Sequence, residues 1–347
     1  MSGLQGVLLK PNIGQAEALT FFTIRSSLDG SRDLAYLSGV GDTFHCMKPD
    51  LVTARGVLFR TDCLKLLAHV REESVDTVFA DPPFNIGKEY NNGGTDRKDN
   101  GDYLEWCEQW LNAAVRVLKP GGSLFVYILP RWGFRFASFL EDIGMEFRHW
   151  IAVSMKGTFP RGRKLYPAHY CLLYFSKGSP KTFNRVRLPI PVCRHCGGEI
   201  KDYGGHRDKL NPAGLNLTDF WDDTSPARHR KNKSRWHINE LKPTISERCI
   251  LVSTNEGEIV FDPFGGGGST YVAAERLNRY WIGTEIGPSE PIIDRFEREF
   301  GHRSSGLEIP WQLRTIFSTE HEDTVTCRRL PRSFSMTGQK RRSEGWG

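Results

Sequence analysis

Asp81-Pro82-Pro83-Phe84-Asn85 follows directly on the apolar run VDTVFA at 75–80. A buried strand that stops at Asp-Pro-Pro carries a carboxylate on its last turn, because proline has no N–H to continue a ladder. The two prolines stiffen the turn, so the Asp81 carboxylate and the Pro82 carbonyl stand as neighbouring acceptors while Phe84 offers a flat face. That combination suits a planar amine. An exocyclic amino nitrogen on a nucleobase is a poor nucleophile, since its lone pair is delocalised into the ring. Two acceptors on its two hydrogens favour the sp³ form and free the lone pair, with the ring stacked on Phe84. The competing reading is an ordinary strand-ending turn, because Asp-Pro is common in loops.

A second cluster runs Phe261-Asp262-Pro263-Phe264-Gly265-Gly266-Gly267-Gly268-Ser269-Thr270, between a strand and a helix. Successive glycines remove every Cβ, so the backbone can approach a ligand closely and turn into the helix. Twenty residues after Gly265, at the end of the next strand, stands Glu285, where a carboxylate can accept both hydroxyl hydrogens of a ribose. Tight turns use glycine without a ligand as well; the order strand, glycine loop, helix, strand and acid is what points to a nucleoside site. No Gly-Lys-Ser/Thr follows the glycines, which argues against nucleotide hydrolysis.

The elements that must position these groups read as alternating α and β. GVLFR (56–60) is a short strand before Thr61-Asp62, and CLKLLAHV (63–70) a short helix. A Gly/Asn-rich loop at 91–101 precedes an amphipathic helix over 103–118, which KPGG (119–122) ends; SLFVYIL (123–129) is a buried strand. A helix at 135–144 and strands near 149–155 and 169–175 continue the series. After an irregular stretch come the strand EIVFD (258–262), the helix 269–278 and the strand 280–286. Helices alternating with short apolar strands imply a doubly wound, mostly parallel α/β sheet. The expected organisation is an unassigned extension at 1–54, a core of 55–177 and 246–305, an irregular insertion at 178–245, and a basic tail at 306–347, at least partly disordered.

Charge is distributed unevenly. The 347 residues carry a net charge of +6, yet residues 147–198 contain ten Lys and Arg and neither Asp nor Glu. Arg161, Arg163 and Lys164 sit in that stretch, and Arg228, Arg230 and Lys231 form a second basic strip near Trp236. For the first, a polyanionic nucleic-acid partner is favoured over a merely solvated basic face; the second reads equally as a phosphate-contacting strip or a solvated loop. Eight cysteines are too few for a disulfide framework, and only Cys193 and Cys196 form a C-x2-C pair. Two readings of that pair stand, a structural Zn²⁺ knuckle with His206 and His229 as further ligands, or two reduced thiols in a turn. No apolar run reaches the length of about 18 residues needed for a membrane span. MSGLQGVLLK lacks the features of a secretory signal, so a cytoplasmic setting is expected.

These motifs resemble a known family. DPPF at 81–84 is similar to the catalytic motif of amino-group DNA methyltransferases, and FDPFGGGGST at 261–270 to their S-adenosylmethionine loop. Catalytic motif first and cofactor loop later is the permuted order of the β group. The resemblance covers about residues 56–290 and implies a Rossmann-like sheet of seven strands with a target-recognition region between the motifs. It implies catalysis by Asp81, Pro82, Pro83 and Phe84, and cofactor contacts from Asp262, Pro263, Phe264, Gly265, Gly266 and Gly267. By the same comparison Asp62 falls where the family meets the cofactor adenine, Glu285 where it meets the ribose, and Pro243 in the approach to the loop. Gly267 and Ser269 stand where the family has Ser and Thr, and LKPTISERCI (241–250) keeps part of the approach pattern. DNA is the implied partner, with a cognate restriction endonuclease as a further expectation. Asp81 in the first motif position favours adenine N6, the alternative being cytosine N4. Cytosine C5 is disfavoured, since no cysteine follows a proline. A non-catalytic nucleic-acid-binding module is the rival of another class.

Overall fold

A computed structural model describes residues 47–88, 95–155, 163, 165, 168–190, 192, 196–199, 209–224, 241–301 and 307–317. In chain order the first half gives β1 (Pro49–Val52), β2 (Gly56–Phe59), α1 (Cys63–His69), β3 (Val75–Ala80), α2 (Asn100–Val117), β4 (Leu118–Ile128), α3 (Pro130–Asp142), β5 (Glu146–Ser154) and β6 (His169–Ser176). The second half gives β7 (Arg187–Leu188), β8 (Leu215–Asn216), β9 (Phe220–Trp221), α4 (Pro243–Ser253), β10 (Ile259–Asp262), α5 (Ser269–Arg276), β11 (Tyr280–Thr284), α6 (Glu290–Phe300) and α7 (Trp311–Arg314).

Nine of these strands form one sheet in the order β1-β2-β11-β10-β3-β4-β6-β5-β9. From β2 to β4 every pairing is parallel; β6 runs antiparallel to both β4 and β5. The run from β2 to β5 is the seven-stranded sheet expected. Two short edge strands extend it to nine among the described residues, β1 antiparallel on β2 and β9 parallel on β5. Neither edge strand, of four and two residues, is long enough to show a period-two pattern.

Period-two alternation sorts the strand residues onto two faces. Val78 and Ala80 of β3, Leu124, Val126 and Ile128 of β4, and Phe261 of β10 pack in one cluster with α1, α2 and α3. Phe79, Phe125 and Tyr127 point the other way, into a cluster with Ile245 and Cys249 of α4. Val260 and Trp281 pack with Tyr271, Ile292 and Phe296 of α5 and α6. Thus α2 connects β3 to β4 across one face, and α5 connects β10 to β11 across the other. β3 and β10 are neighbours from which the chain leaves in opposite directions, and the crevice beyond their carboxyl ends is where such sheets bind ligands.

Several boundaries differ from the expected ones. Residues 49–52, counted with the N-terminal extension, are an edge strand of the main sheet. Leu313, Ile316 and Phe317, counted with the tail, are buried in the core, and Phe317 bridges to Val70. KPGG does not separate helix from strand. It lies within β4, at a register shift opposite Val75 and Thr77, where Gly121 has φ +76 and its N–H bonds to the Lys177 carbonyl at 2.7 Å. Helix α4 begins at Pro243, inside the stretch expected to be irregular. Among the described residues no helix is long and apolar enough to cross a membrane.

Candidate active site

Asp81 is the first residue beyond β3, half-buried at the crevice. Burial pushes its carboxyl up to about 7, opposed by the Lys88 ammonium. Among the described residues nothing hydrogen-bonds to it, so it faces the crevice as an uncommitted acceptor. The next carbonyls of the turn are taken. Tyr103 of α2 donates to the Pro83 carbonyl at 2.7 Å, and Trp132 Nε1 of α3 donates to the Phe84 carbonyl at 2.9 Å. The Phe84 ring leans on Tyr127 and Tyr170, with centroids 6.2 and 5.9 Å away. Two helices and two strands thus fix a turn whose sequence explains only its stiffness. Asn85, at φ +54, adopts the left-handed conformation that its short amide tolerates.

The glycine loop divides its residues between packing and access. A Cβ on Gly265 would lie 2.8 Å from Tyr271 Oη and 3.0 Å from the Thr284 carbonyl, and one on Gly268 would lie 2.9 Å from Ile292. Those two glycines let the loop lie against β11 and α6. Gly266 is different. It is exposed, has φ +51, and a Cβ there would come no nearer than 4.0 Å to any atom. Its N–H donates to Glu285 Oε2 at 2.7 Å, while the Gly287 N–H donates to Oε1 at 2.7 Å. Burial raises the Glu285 pKa, and the N–H groups of Gly287, Gly266 and Ile286 oppose that shift.

Asp262 completes the floor of the crevice. Its carboxylate accepts from the Phe264 N–H at 2.9 Å, and burial pushes it well above the usual carboxylate range, with Asp81 and Glu285 adding repulsion. Three carboxyl groups therefore gather at the carboxyl ends of β3, β10 and β11. Such a site attracts a cation and holds protons until one arrives.

Pro82 and Pro263 are buried, and the Pro263 carbonyl accepts from Thr284 Oγ1 at 2.6 Å. Phe264 packs edge-on to Trp110 at 5.1 Å and Trp106 at 5.8 Å, and the Gly267 carbonyl accepts from Arg295 at 3.0 Å. Asp62 caps α1 through the Leu64 N–H at 2.9 Å, three residues beyond Phe59, whose carbonyl accepts the Glu285 N–H at 3.1 Å. Pro243 opens α4, and the neighbouring Leu241 carbonyl accepts from Ser269 at the loop, at 2.9 Å. Arg163 is exposed; Arg161, Lys164, Arg228, Arg230 and Lys231 lie outside the described residues. So do Cys193, His206 and His229, while Cys196 is an exposed free thiol. No metal-binding group of His, Cys, Asp and Glu occurs among the described residues. Tyr103, Trp132, Tyr127 and Tyr170 carry no signal of this role in the sequence; each is an aromatic of a helix or strand, indistinguishable there from core.

Comparison with known proteins bears on the same segments. A family model described as DNA methylase matches residues 75–290. Type II methyltransferase M.BamHI of Bacillus amyloliquefaciens is 48% identical over 254 residues, 73% of this chain, which spans only 60% of that protein's length. Type II methyltransferase M.HpaI of Haemophilus parainfluenzae is 32% identical over 252 residues, covering 70% of this chain and 74% of its own. Among solved structures the cytosine-N4-specific PvuII DNA methyltransferase matches with a TM-score of 0.54 at 19% identity, over 75% of this chain and 91% of that one, a likeness of fold.

Proposed function

The chain belongs to the N6/N4 family of DNA methylases, and from that premise we propose that it transfers a methyl group from S-adenosylmethionine to the exocyclic amine of a DNA base. The observation that carries the reading is the meeting, at the β3/β10 crevice, of the Asp81 acceptor with a glycine loop that leaves Gly266 open beside Glu285.

The crevice fits the cofactor on its own chemistry. A sulfonium with an ammonium group is cationic, and Asp81, Asp262 and Glu285 offer three mutually repelling carboxyl groups for it to relieve. Glu285 and Gly266 would hold the ribose side, Asp62 the adenine, and the Asp262–Gly267 segment the remainder. S-adenosylmethionine, when bound, would supply an electrophilic methyl group, its sulfonium sulfur keeping the electrons of the broken carbon–sulfur bond and leaving as a neutral thioether.

The other steps belong to the chain. A base stacked in a duplex cannot bring its amine to the half-buried Asp81, so the target is extruded and stacked on Phe84. Phe84 is ready for that contact, because Tyr127 and Tyr170 support its ring and Trp132 fixes its backbone. Asp81 and the Pro82 carbonyl accept the two amine hydrogens, raising electron density on nitrogen. The ionised form of Asp81 is the stronger acceptor and takes the proton released as the bond to carbon forms. No covalent link to the protein is required; positioning and acceptor geometry supply the rate.

Asp81 in the first motif position supports adenine N6 as the target. Cytosine N4 is the second reading, the specificity of the PvuII enzyme that shares this fold. Arg161, Arg163 and Lys164, with Arg228, Arg230 and Lys231, are proposed to contact DNA phosphates, and the Type II relatives support a cognate endonuclease as partner. The test is incubation of unmethylated DNA with isotopically labelled cofactor, digestion to nucleosides and mass analysis. Labelled N6-methyladenosine or N4-methylcytidine (as deoxynucleosides) identifies the base; absence of both, with the cofactor bound, returns the non-catalytic binding module.

A further inference from the structure

Beside the catalytic turn lies an open cleft of about 850 Å³, walled by Asn85–Gly87, by residues 97–100 and by Arg131. Its charge is net positive, Arg97, Lys98 and Arg131 against Asp99. Arg97, Lys98 and Arg131 are exposed, and among the described residues no ion pair engages any of them. The one acid in the lining, Asp99, is occupied as the cap of α2, accepting the Gly101 N–H at 2.9 Å. Asp96 behind it is buried and accepts the Lys88 N–H at 2.7 Å.

These cations are tied to the catalytic turn. The Asn85 amide clamps the Lys98 backbone in both directions, accepting its N–H at 2.8 Å and donating to its carbonyl at 3.2 Å. The Lys98 ammonium rests over the Trp106 ring, 5.5 Å from its centroid. Arg131 lies over Trp132 at 4.4 Å, and Trp132 is the residue that donates to the Phe84 carbonyl. Residues immediately after Phe84 on one side, and the partner of Phe84 on the other, thus fix where the charges stand. Side chains resting on aromatic faces lose less rotamer freedom when they bind. A merely solvated basic face needs no such anchoring. Two anchored cations, Lys98 and Arg131, with Arg97 next to Lys98, border the residues that follow Phe84 and match the groups that must accompany an extruded base, its own backbone phosphates.

We infer that this cleft grips the DNA backbone phosphates flanking the extruded nucleotide, an inference that rests on the DNA-methylase reading above. It is distinct from the basic 147–198 stretch, and it sets the distance between backbone and Phe84 rather than the sequence read.

The test uses the full chain and a duplex containing a sequence that the wild type methylates. In Arg97→Gln/Lys98→Gln/Arg131→Gln, the slope of log affinity against log salt should flatten by about 0.9 for each lost contact. Methylphosphonates replacing the phosphates on either side of the target nucleotide should weaken wild-type binding about tenfold or more and the triple variant less than about threefold, since the charges they meet are gone. Cofactor affinity reports folding; if the triple variant loses it, Arg131→Gln alone carries the test, with a slope change of about 0.9. An unchanged slope, or methylphosphonates that penalise both proteins equally, overturns the cleft while the methylase reading stands. A wild type that methylates no DNA overturns that reading, and the cleft with it.

Discussion

Adding one methyl group at each of two adjacent glycines separates what the loop does for the fold from what it does for a ligand. In Gly265→Ala the new Cβ would sit 2.8 Å from Tyr271 Oη, 3.0 Å from the Thr284 carbonyl and 3.1 Å from Ile292 Cδ1. Tyr271 cannot yield freely, because its hydroxyl spans the Asp262 and Thr284 carbonyls at 3.1 Å each. Overpacking of this kind costs about 1–3 kcal/mol, which in a domain of this size lowers the melting temperature by roughly 2–4 °C per kcal/mol. In Gly266→Ala the Cβ meets nothing within 4.0 Å, and the cost is that of φ +51, about 1–2 kcal/mol. Stability alone distinguishes the two weakly; binding does so strongly. The space beside Gly266 is the approach to Glu285, so Gly266→Ala should weaken S-adenosylmethionine binding by about tenfold or more, about 1.4 kcal/mol. Calorimetric titration and thermal unfolding of both variants decide it. Gly266→Ala binding the cofactor within about twofold of wild type refutes the loop assignment, and an undiminished melting temperature in Gly265→Ala refutes the packing argument.

Further expectations follow from the crevice. If Asp81 acts in its ionised form, kcat/KM should rise with pH and level off above about 7, read from a pH–rate profile at subsaturating cofactor, where the ligand-free carboxyl is reported. Its native pKa exceeds the unfolded value of about 3.9, so the native state holds the extra proton in between. Its contribution to stability is therefore lost as pH rises from about 4 towards about 7, and Asp81→Ala should show a smaller fall in melting temperature over that range. Glu285→Ala removes the acceptor of both the Gly266 and Gly287 N–H groups and should weaken cofactor binding by about tenfold or more in the same titration. Tyr103→Phe leaves the Pro83 carbonyl without its donor, which should cost about 1–2 kcal/mol in denaturant unfolding and lower turnover more than cofactor affinity.

What the sequence discloses is what repeats locally. β3, β10 and β11 are short apolar runs that end in Asp81, Asp262 and Glu285, so strand and acid are legible together. α4 and α6 are not, because Pro243 and Pro291 suggest breaks; they occupy first turns, where a missing N–H is harmless. KPGG misleads for the opposite reason, since a bulge admits residues that a regular strand excludes. The supports of the Asp81–Asn85 turn leave no local trace at all. Tyr103 reaches Pro83 from 20 residues away and Trp132 reaches Phe84 from 48, contacts that exist only once α2 and α3 have packed on β3 and β4. The basic cleft is hidden likewise, for Arg97 and Lys98 join Arg131 only through the Asn85 clamp and the Trp132 bond.

The central claim is that Asp81 activates an exocyclic amine for methylation. Its most direct measurement is labelled methyl found in nucleosides digested from DNA treated with wild type and with Asp81→Ala, both shown to bind S-adenosylmethionine. The account predicts label on adenine N6, or on cytosine N4, from the wild type, and a loss of more than about 100-fold in the variant, about 2.7 kcal/mol in the barrier. Label on a ring carbon, or an Asp81→Ala rate within about tenfold of wild type, would contradict it.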